Sequence, residues 1–329
     1  MTSLNRRFTV APMLDWTDKH CRYFHRLLTK HAVLYTEMVT TGAILHGQAE
    51  RYLSFNQAEH PLALQLGGSE PNEMTQCATI AADFGYNEVN INVGCPSERV
   101  QKGAFGACLM AEPQLIADCV ASMQAKISIP VTVKNRIGID DQDDYEGLHQ
   151  FISTVAAAGC KTFIIHARKA WLKGLSPKEN REIPPLCYEL VYQIKREFPE
   201  LEIIINGGIT SLSACQEHMQ HVDGVMVGRE AYHNPWLLAE VDTVIYGDKP
   251  QSDDRYTVLE AMLVYIEQQE AAGVRVSHIG RHILGLFQGL PGARQWRRHL
   301  SENMHKPEAN LNLFKEATKK VLDGQARFL

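Results

Sequence analysis

Short runs of apolar, largely β-branched residues recur along the chain, and between them apolar positions return every three or four residues. The runs are FTVAP (8–12), VLYTEM (33–38), LALQL (62–66), EVNIN (88–92), VTVK (131–134), TFIIH (162–166), EIIIN (202–206) and DGVMVG (223–228). Near-continuous apolarity over a few residues marks strands buried on both faces, and the longer intervening period marks helices. Eight such units predict an α/β fold, a (β/α)8 TIM barrel. A doubly wound sheet is the runner-up, but no GxGxxG follows the first run.

Beyond residue 228 the pattern changes. A polar stretch, GDKPQSDDR (247–255), leads into VLEAMLVYIEQQEAAG (258–273) and LNLFKEATKKVLDGQARFL (311–329), which keep helical spacing and offer no further strand. The division predicted is a barrel domain over 1–250 and an all-helical domain over 251–329. Residues 232–245 are helical in pattern as well and fit either part.

Composition narrows the function. With 33 basic and 38 acidic side chains the net charge is −5, which argues against a protein that coats nucleic acid indiscriminately. Any polyanion must meet a local patch. No run of about 18 apolar residues could span a bilayer, and the amino terminus lacks a signal peptide's apolar core, so a cytoplasmic location is expected. Eight cysteines without a CxxC pair or zinc-type spacing predict reduced thiols and no metal site.

In such barrels chemistry collects at the carboxyl ends of the strands. The residues there are unusually polar: Pro12 and Met13, Glu37, Gln65, Asn90 and Asn92, Lys134, His166, Asn206-Gly207-Gly208, and Gly228-Arg229. The glycines after runs seven and eight stand where these barrels hold a phosphate, and Arg229 adds a charged fork. Ordinary glycine turns are the plain alternative. Lys134 has two readings, a Schiff-base amine as in aldolases or a cation beside a negatively charged cofactor. His166 suits a phosphate or hydroxyl, and Gln65 offers donor and acceptor to a planar heterocycle. Cation, amide and phosphate nest together suit flavin mononucleotide (FMN).

Cys95 lies just past the fourth strand, between Gly94 and Pro96, where a turn presents its thiol to a ligand. If a reduced flavin gives hydride to one carbon of a polarised C=C bond, the neighbouring carbon needs a proton. An ordinary cysteine, with a pKa of about 8.5, is mostly protonated near neutral pH and can supply it. The local sequence offers no base to make it a nucleophile instead.

Taken in order, APMLDWTD (11–18), YTEMV (35–39), LQLGGSEP (64–71), NINVGCPS (90–97), VKNRIG (133–138), IHAR (165–168), INGGI (205–209) and DGVMVGR (223–229) resemble the tRNA-dihydrouridine synthases. The trailing GAFGACLM (103–110) belongs to the same likeness, and KENREIPPL (178–186) is similar to its bacterial DusA branch, associated with D-loop uridines 20 and 20a. The resemblance implies FMN as prosthetic group, NADPH as reductant, and reduction of the uracil C5=C6 bond in tRNA. Hydride would pass to C6 and Cys95 would protonate C5. By position, Met13, Gln65, Lys134, His166, Asn206, Gly208, Gly228 and Arg229 would hold FMN, joined by Pro12 and Gly207 at the same strand ends. Asn92 would lie beside the target nucleotide.

The RNA needs a cationic face. Between Ala271 and Ser301 stand Arg275, Arg281, Arg294, Arg297 and Arg298 with His278, His282 and His299 and no acidic residue. Arg294, Arg297 and Arg298 follow the turn LPGA and would start a helix that contacts phosphates. A second cluster, Arg168, Lys169, Lys173, Lys178 and Arg181, lies in the loop after the sixth strand. Trp16, Tyr35 and Trp171 are candidates to stack on a splayed base. The rival readings are an FMN-dependent reductase or dehydrogenase of free pyrimidines, a Schiff-base aldolase, and a non-catalytic tRNA-binding module. No protein partner is called for.

Overall fold

The computed structural model describes residues 4–97, 103–142 and 144–326. The outer ends of both expected domains, 1–3 and 327–329, lie outside the described residues, and every expected site residue lies inside them. Eight strands form one closed parallel barrel: β1 (Phe8–Val10), β2 (Val33–Thr40), β3 (Leu62–Gly67), β4 (Glu88–Val93), β5 (Val131–Arg136), β6 (Thr162–His166), β7 (Glu202–Asn206) and β8 (Gly224–Val227). Each pairs with the next, and β8 returns to β1 with Met226 opposite Thr9. The expected barrel is present, and its strands fall on the eight apolar runs.

The closing seam needs Gly224, because a Cβ there would run into the backbone carbonyl of Arg6. Helices cover the outside, so Ile203, Ile204 and Ile205 are all fully buried although they alternate in direction. The helix Pro71–Phe84 after β3 begins at a proline with the Glu70 carboxylate accepting from the Glu73 N–H, a normal start for a crossover helix.

Ala11, Val33, Tyr35, Ala63, Ile164, Ile204 and Met226 form an apolar cluster. β4 and β5 instead bury Glu88, Asn90, Asn92 and Thr132. Tyr35 is fully buried and donates its hydroxyl to Glu88 Oε1 at 2.7 Å, so it is not available to stack on a base. Its place at the start of β2 puts it in the barrel filling and not at the mouth.

By contact density the chain divides into two units, one made of residues 1–14 and 32–228 and the other of 15–31 and 229–329. The second unit is helical. Its principal helices are Lys19–Leu28, Arg255–Ala271, Ala293–Asn303 and Leu311–Ala326. Asp18 caps the first of these, accepting from the N–H groups of His20 and Cys21, and also receives Arg281 Nη2 at 2.6 Å with His282 Nε2 3.0 Å away. Burial alone would raise the Asp18 pKa. The hydrogen bond and charge of His282, with further help from Arg281, outweigh burial and hold it well below the carboxylate range. Tyr23 stacks on Tyr265 at 3.9 Å between ring centroids, and Trp296 packs edge-on against Phe287 at 5.1 Å. No helix among the described residues is long and apolar enough to cross a membrane.

Candidate active site

Cys95 is held by its backbone from both sides. Its N–H donates to Asn92 Oδ1 at 3.0 Å, and its carbonyl accepts from the N–H of Ala107 at 2.9 Å. The second bond joins the GAFGACLM segment, through its short helix Gly106–Ala111, to the loop after β4. The thiol is half-buried. Neither bond uses the sulfur, so side-chain chemistry is left open while the main chain is fixed.

Asn92 and Gln65 come together as expected from neighbouring strand ends. Asn92 Nδ2 donates to Gln65 Oε1 at 2.8 Å, and Gln65 Nε2 donates to Asn90 Oδ1 at 2.9 Å. Gln65 is 1% exposed, so its amide plane is locked on both sides.

Two cations stand within electrostatic range of Cys95. Lys134 on β5 donates from Nζ to Asn206 Oδ1 at 3.1 Å, while Asn206 Nδ2 donates to the Met226 carbonyl at 2.8 Å. Burial, reinforced by the neighbouring charge of Arg136 and opposed by Cys95, lowers the Lys134 pKa to about 7. No carboxylate pairs with it among the described residues. Arg136, also on β5, has its pKa lowered by burial to about 10, with Cys95 acting the other way. It remains a cation near neutral pH. His166 stands opposite Arg136 in the β5–β6 register. Burial, with Arg136, Lys134, Arg168 and Arg181 around it, pushes its pKa well below the ordinary histidine value. His166 is therefore a neutral imidazole that can offer a phosphate or hydroxyl one N–H and no charge.

The loop after β7 is shaped as a cradle. Gly207 and Gly208 have φ of 120° and 70°, conformations that side chains rarely adopt. A Cβ on Gly207 would lie 2.7 Å from His166 Cδ2, and one on Gly208 would lie 2.6 Å from Leu186 Cδ1. Tyr188 fixes the turn by donating to the Gly207 carbonyl at 2.7 Å. After β1 and β8, Pro12, Met13 and Gly228 are half-buried, with Met13 Sδ 3.8 Å from where a Gly228 Cβ would be. Arg229 is exposed and opens the helix Arg229–His233 of the helical unit. Within the barrel unit, an unpaired cation, an open backbone turn and locked amides fit a planar anionic cofactor of the flavin nucleotide type.

The basic residues divide by what they touch. Arg168 donates to the carbonyls of Pro184 and Glu182, and Lys169 donates to Gln142 O at 2.6 Å. These two cations fasten the loop after β6. Lys178 and Arg181 remain exposed on it. In the helical unit, Ala293–Asn303 is a helix as expected, with Arg294, Arg297 and Arg298 exposed on it. Arg298 Nε pairs with Glu302 at 2.8 Å, Arg297 donates to Gln288, and Arg281 is engaged by Asp18. His282 is buried. The cationic face is therefore narrower than the acid-free stretch 271–301 implies. Trp16 stacks on Tyr232 at 4.4 Å, and Trp171 is half-buried with its N–H donating to Asn180 Oδ1 at 2.7 Å.

Two residues of consequence escaped the sequence reading. Arg136 donates to the carbonyls of Gly94 (2.9 Å), Lys169 (2.8 Å) and Asn180 (2.9 Å), tying the Cys95 loop to the loop after β6. Asn180 is fully buried and gathers that loop, bonding the Trp171 N–H and carbonyl and the carbonyls of Leu175 and Ser176. The signal for Arg136 was its alternation with Lys134, which points both side chains into the barrel.

A profile of the family described as dihydrouridine synthase (Dus) matches residues 9–322. The chain is 64% identical over 319 residues to the tRNA-dihydrouridine(20/20a) synthase of Shewanella oneidensis, covering 97% of this chain and 95% of that protein. It is 62% identical over 316 residues to the protein of that name from Vibrio cholerae, 96% of each chain. With the Escherichia coli K12 protein of that name it shares 62% over 318 residues, 96% of this chain and 92% of that one. Among solved structures, 2-naphthoyl-CoA reductase in complex with 2-naphthoyl-CoA aligns with a TM-score of 0.54 at 10% identity, over 71% of this chain and 49% of that one. That likeness shows the fold alone.

Proposed function

The chain belongs to the dihydrouridine synthase family, and from that membership we infer that it reduces uridine to 5,6-dihydrouridine in the D-loop of tRNA, at positions 20 and 20a, using FMN and NADPH. The observation that carries the reading is the Cys95 backbone, pinned by Asn92 and Ala107, with a free, half-buried thiol in electrostatic range of Lys134 and Arg136.

Lys134 and Asn206 would meet the flavin ring, and Gly207 and Gly208 its phosphate. Gln65, Met13 and Pro12 would line the same site, with His166, Gly228 and Arg229 toward the phosphate end. Bound FMN would supply the two electrons as a hydride to uracil C6. The proton at C5 would come from Cys95, whose S–H bond breaks as the new C–H bond forms. The thiolate left behind would sit within electrostatic range of Arg136 and Lys134. Asn92, held by Gln65, would lie beside the target base.

In this reading the expected catalytic division over 1–250 carries the flavin chemistry, although by contact density its residues 15–31 and 229–250 group with the helical unit. Helices from 251 onward carry RNA binding, with Arg294, Arg297 and Arg298 against phosphates and Lys178 and Arg181 gripping the strand near the target. The enzyme works in the cytoplasm and needs no metal.

The test is incubation with NADPH and tRNA lacking dihydrouridine, followed by mapping of the new base position by position. Product at 20 and 20a is expected, and the Cys95→Ala variant should keep tRNA binding while its rate falls about 10²-fold or more, the usual weight of a positioned general acid. No product at any D-loop position would overturn the assignment.

A further inference from the structure

We propose that Thr132, Asn90 and Glu88 are positioning residues for Cys95, forming with Gln65 and Asn92 a one-way relay of hydrogen bonds from the barrel interior to the thiol loop. The proposal rests on the reading of Cys95 as proton donor.

The relay starts at a group that can only accept. Glu88 is fully buried and paired through Oε2 with Arg6 Nε at 2.6 Å. Its Oε1 accepts the hydroxyl protons of Tyr35 at 2.7 Å and of Thr132 at 2.5 Å. Having given its single proton, the Thr132 oxygen can only accept, so the Asn90 atom facing it at 2.8 Å is the amide nitrogen. Asn90 then turns its oxygen to Gln65, which must answer with its nitrogen, and Gln65 turns its oxygen to Asn92, which must do the same. The Asn92 oxygen is left facing the N–H groups of Gly94 at 3.1 Å and Cys95 at 3.0 Å.

The opposite end imposes the same order. A backbone N–H can only donate, so the atom of Asn92 beside Cys95 has to be oxygen, and the sequence of donors can be rebuilt backward to Glu88. Two fixed ends therefore leave one arrangement for three amides. Flipping any one of them sets donor against donor or acceptor against acceptor at both of its neighbours. The strand register lays these steps side by side, with Gln65 opposite Asn90 and Asn90 opposite Thr132. All the side chains from Glu88 to Asn92 are buried, so no solvent competes for their bonds.

Thr132→Val keeps the shape but deletes the hydroxyl that donates to Glu88 and accepts from Asn90, and Thr132→Ser keeps that hydroxyl. In flavin-free protein, iodoacetamide labelling read by peptide mass should show Cys95 of Thr132→Val reacting about three-fold faster or more, because a broken network loosens what it held. Half-buried Cys187 in the same sample should be unchanged and serves as the internal control. In the flavin-loaded enzyme, turnover at saturating tRNA should fall with KM for tRNA kept. Thr132→Ser should restore both. A folded Thr132→Val with wild-type Cys95 labelling overturns the relay, and so does an effect that Thr132→Ser fails to reverse. The labelling decides whether or not dihydrouridine forms, so a failed relay is told apart from a failed functional reading.

Discussion

The Nε of Arg136 donates to the carbonyl of Gly94 at 2.9 Å, one residue before Cys95. Its Nη1 reaches the carbonyls of Lys169 and Asn180 in another loop, so one guanidinium sets the spacing between two loops of the barrel mouth. A planar fork with several donors can do this, and the compact ammonium of lysine cannot.

Arg136→Lys should therefore leave buried carbonyls unsatisfied at about 1–3 kcal/mol each. Turnover is expected to drop about 10- to 100-fold, the equivalent of about 1.4–2.8 kcal/mol. KM for tRNA should stay nearly constant and the melting temperature should fall. Steady-state kinetics with calorimetry checks the split.

With Lys134 beside the flavin as proposed, cofactor binding should depend on pH. Its pKa in the folded chain is lowered from 10.5 to about 7, so between those values the unfolded chain binds more protons. Stability of the flavin-free protein from this group therefore rises with pH across that window. Cofactor affinity runs the other way, since an anion placed beside Lys134 favours the charged amine. FMN should bind more weakly as pH rises above about 7 and should take up a proton when it does. Titration calorimetry in buffers of different ionisation enthalpy reads that proton, and Lys134→Met should abolish it.

Gly207→Ala combines a backbone penalty at φ 120° with a Cβ 2.7 Å from His166 Cδ2. Strain of about 1–3 kcal/mol is expected. FMN content per mole of protein, read from visible absorbance, should fall while tRNA binding persists.

Among the helix arginines, Arg294 makes no ion pair among the described residues, whereas Arg298 is already paired with Glu302. Arg294→Ala should weaken tRNA binding evenly across sequences and reduce the slope of log affinity against log salt by about one. Arg298→Ala should change it less. Filter binding over a salt series separates them.

The strands were legible because parallel barrel strands are apolar on both faces, and periodicity detects that directly. It also set their limits. The apolar run VTVK ends at Lys134, whereas β5 runs on through Asn135 to Arg136, polar residues that break the apolar pattern. Arg136 was hidden for that reason, although it lay inside a quoted motif. Cys95, Gln65 and Lys134 were readable from strand ends, since their place in the fold follows from the count of strands. Charge pairing was not readable. Arg281 meets Asp18 across 263 positions of sequence, and no local count of acidic residues could reveal it. Tyr35 failed for a related reason, as its hydroxyl answers Glu88 on another strand.

The helix Lys19–Leu28 follows the first barrel strand in sequence but packs in the helical unit, with Asp18 held by Arg281 and His282 and Tyr23 stacked on Tyr265. The helical unit is thus not an appendage that a deletion can remove. A fragment ending at residue 228 would keep residues 15–31 but strip them of the groups that neutralise and cover them, leaving Asp18 without its cationic partners and Tyr23 without Tyr265. Gene shuffling could exchange the two units only by cutting the chain in three places.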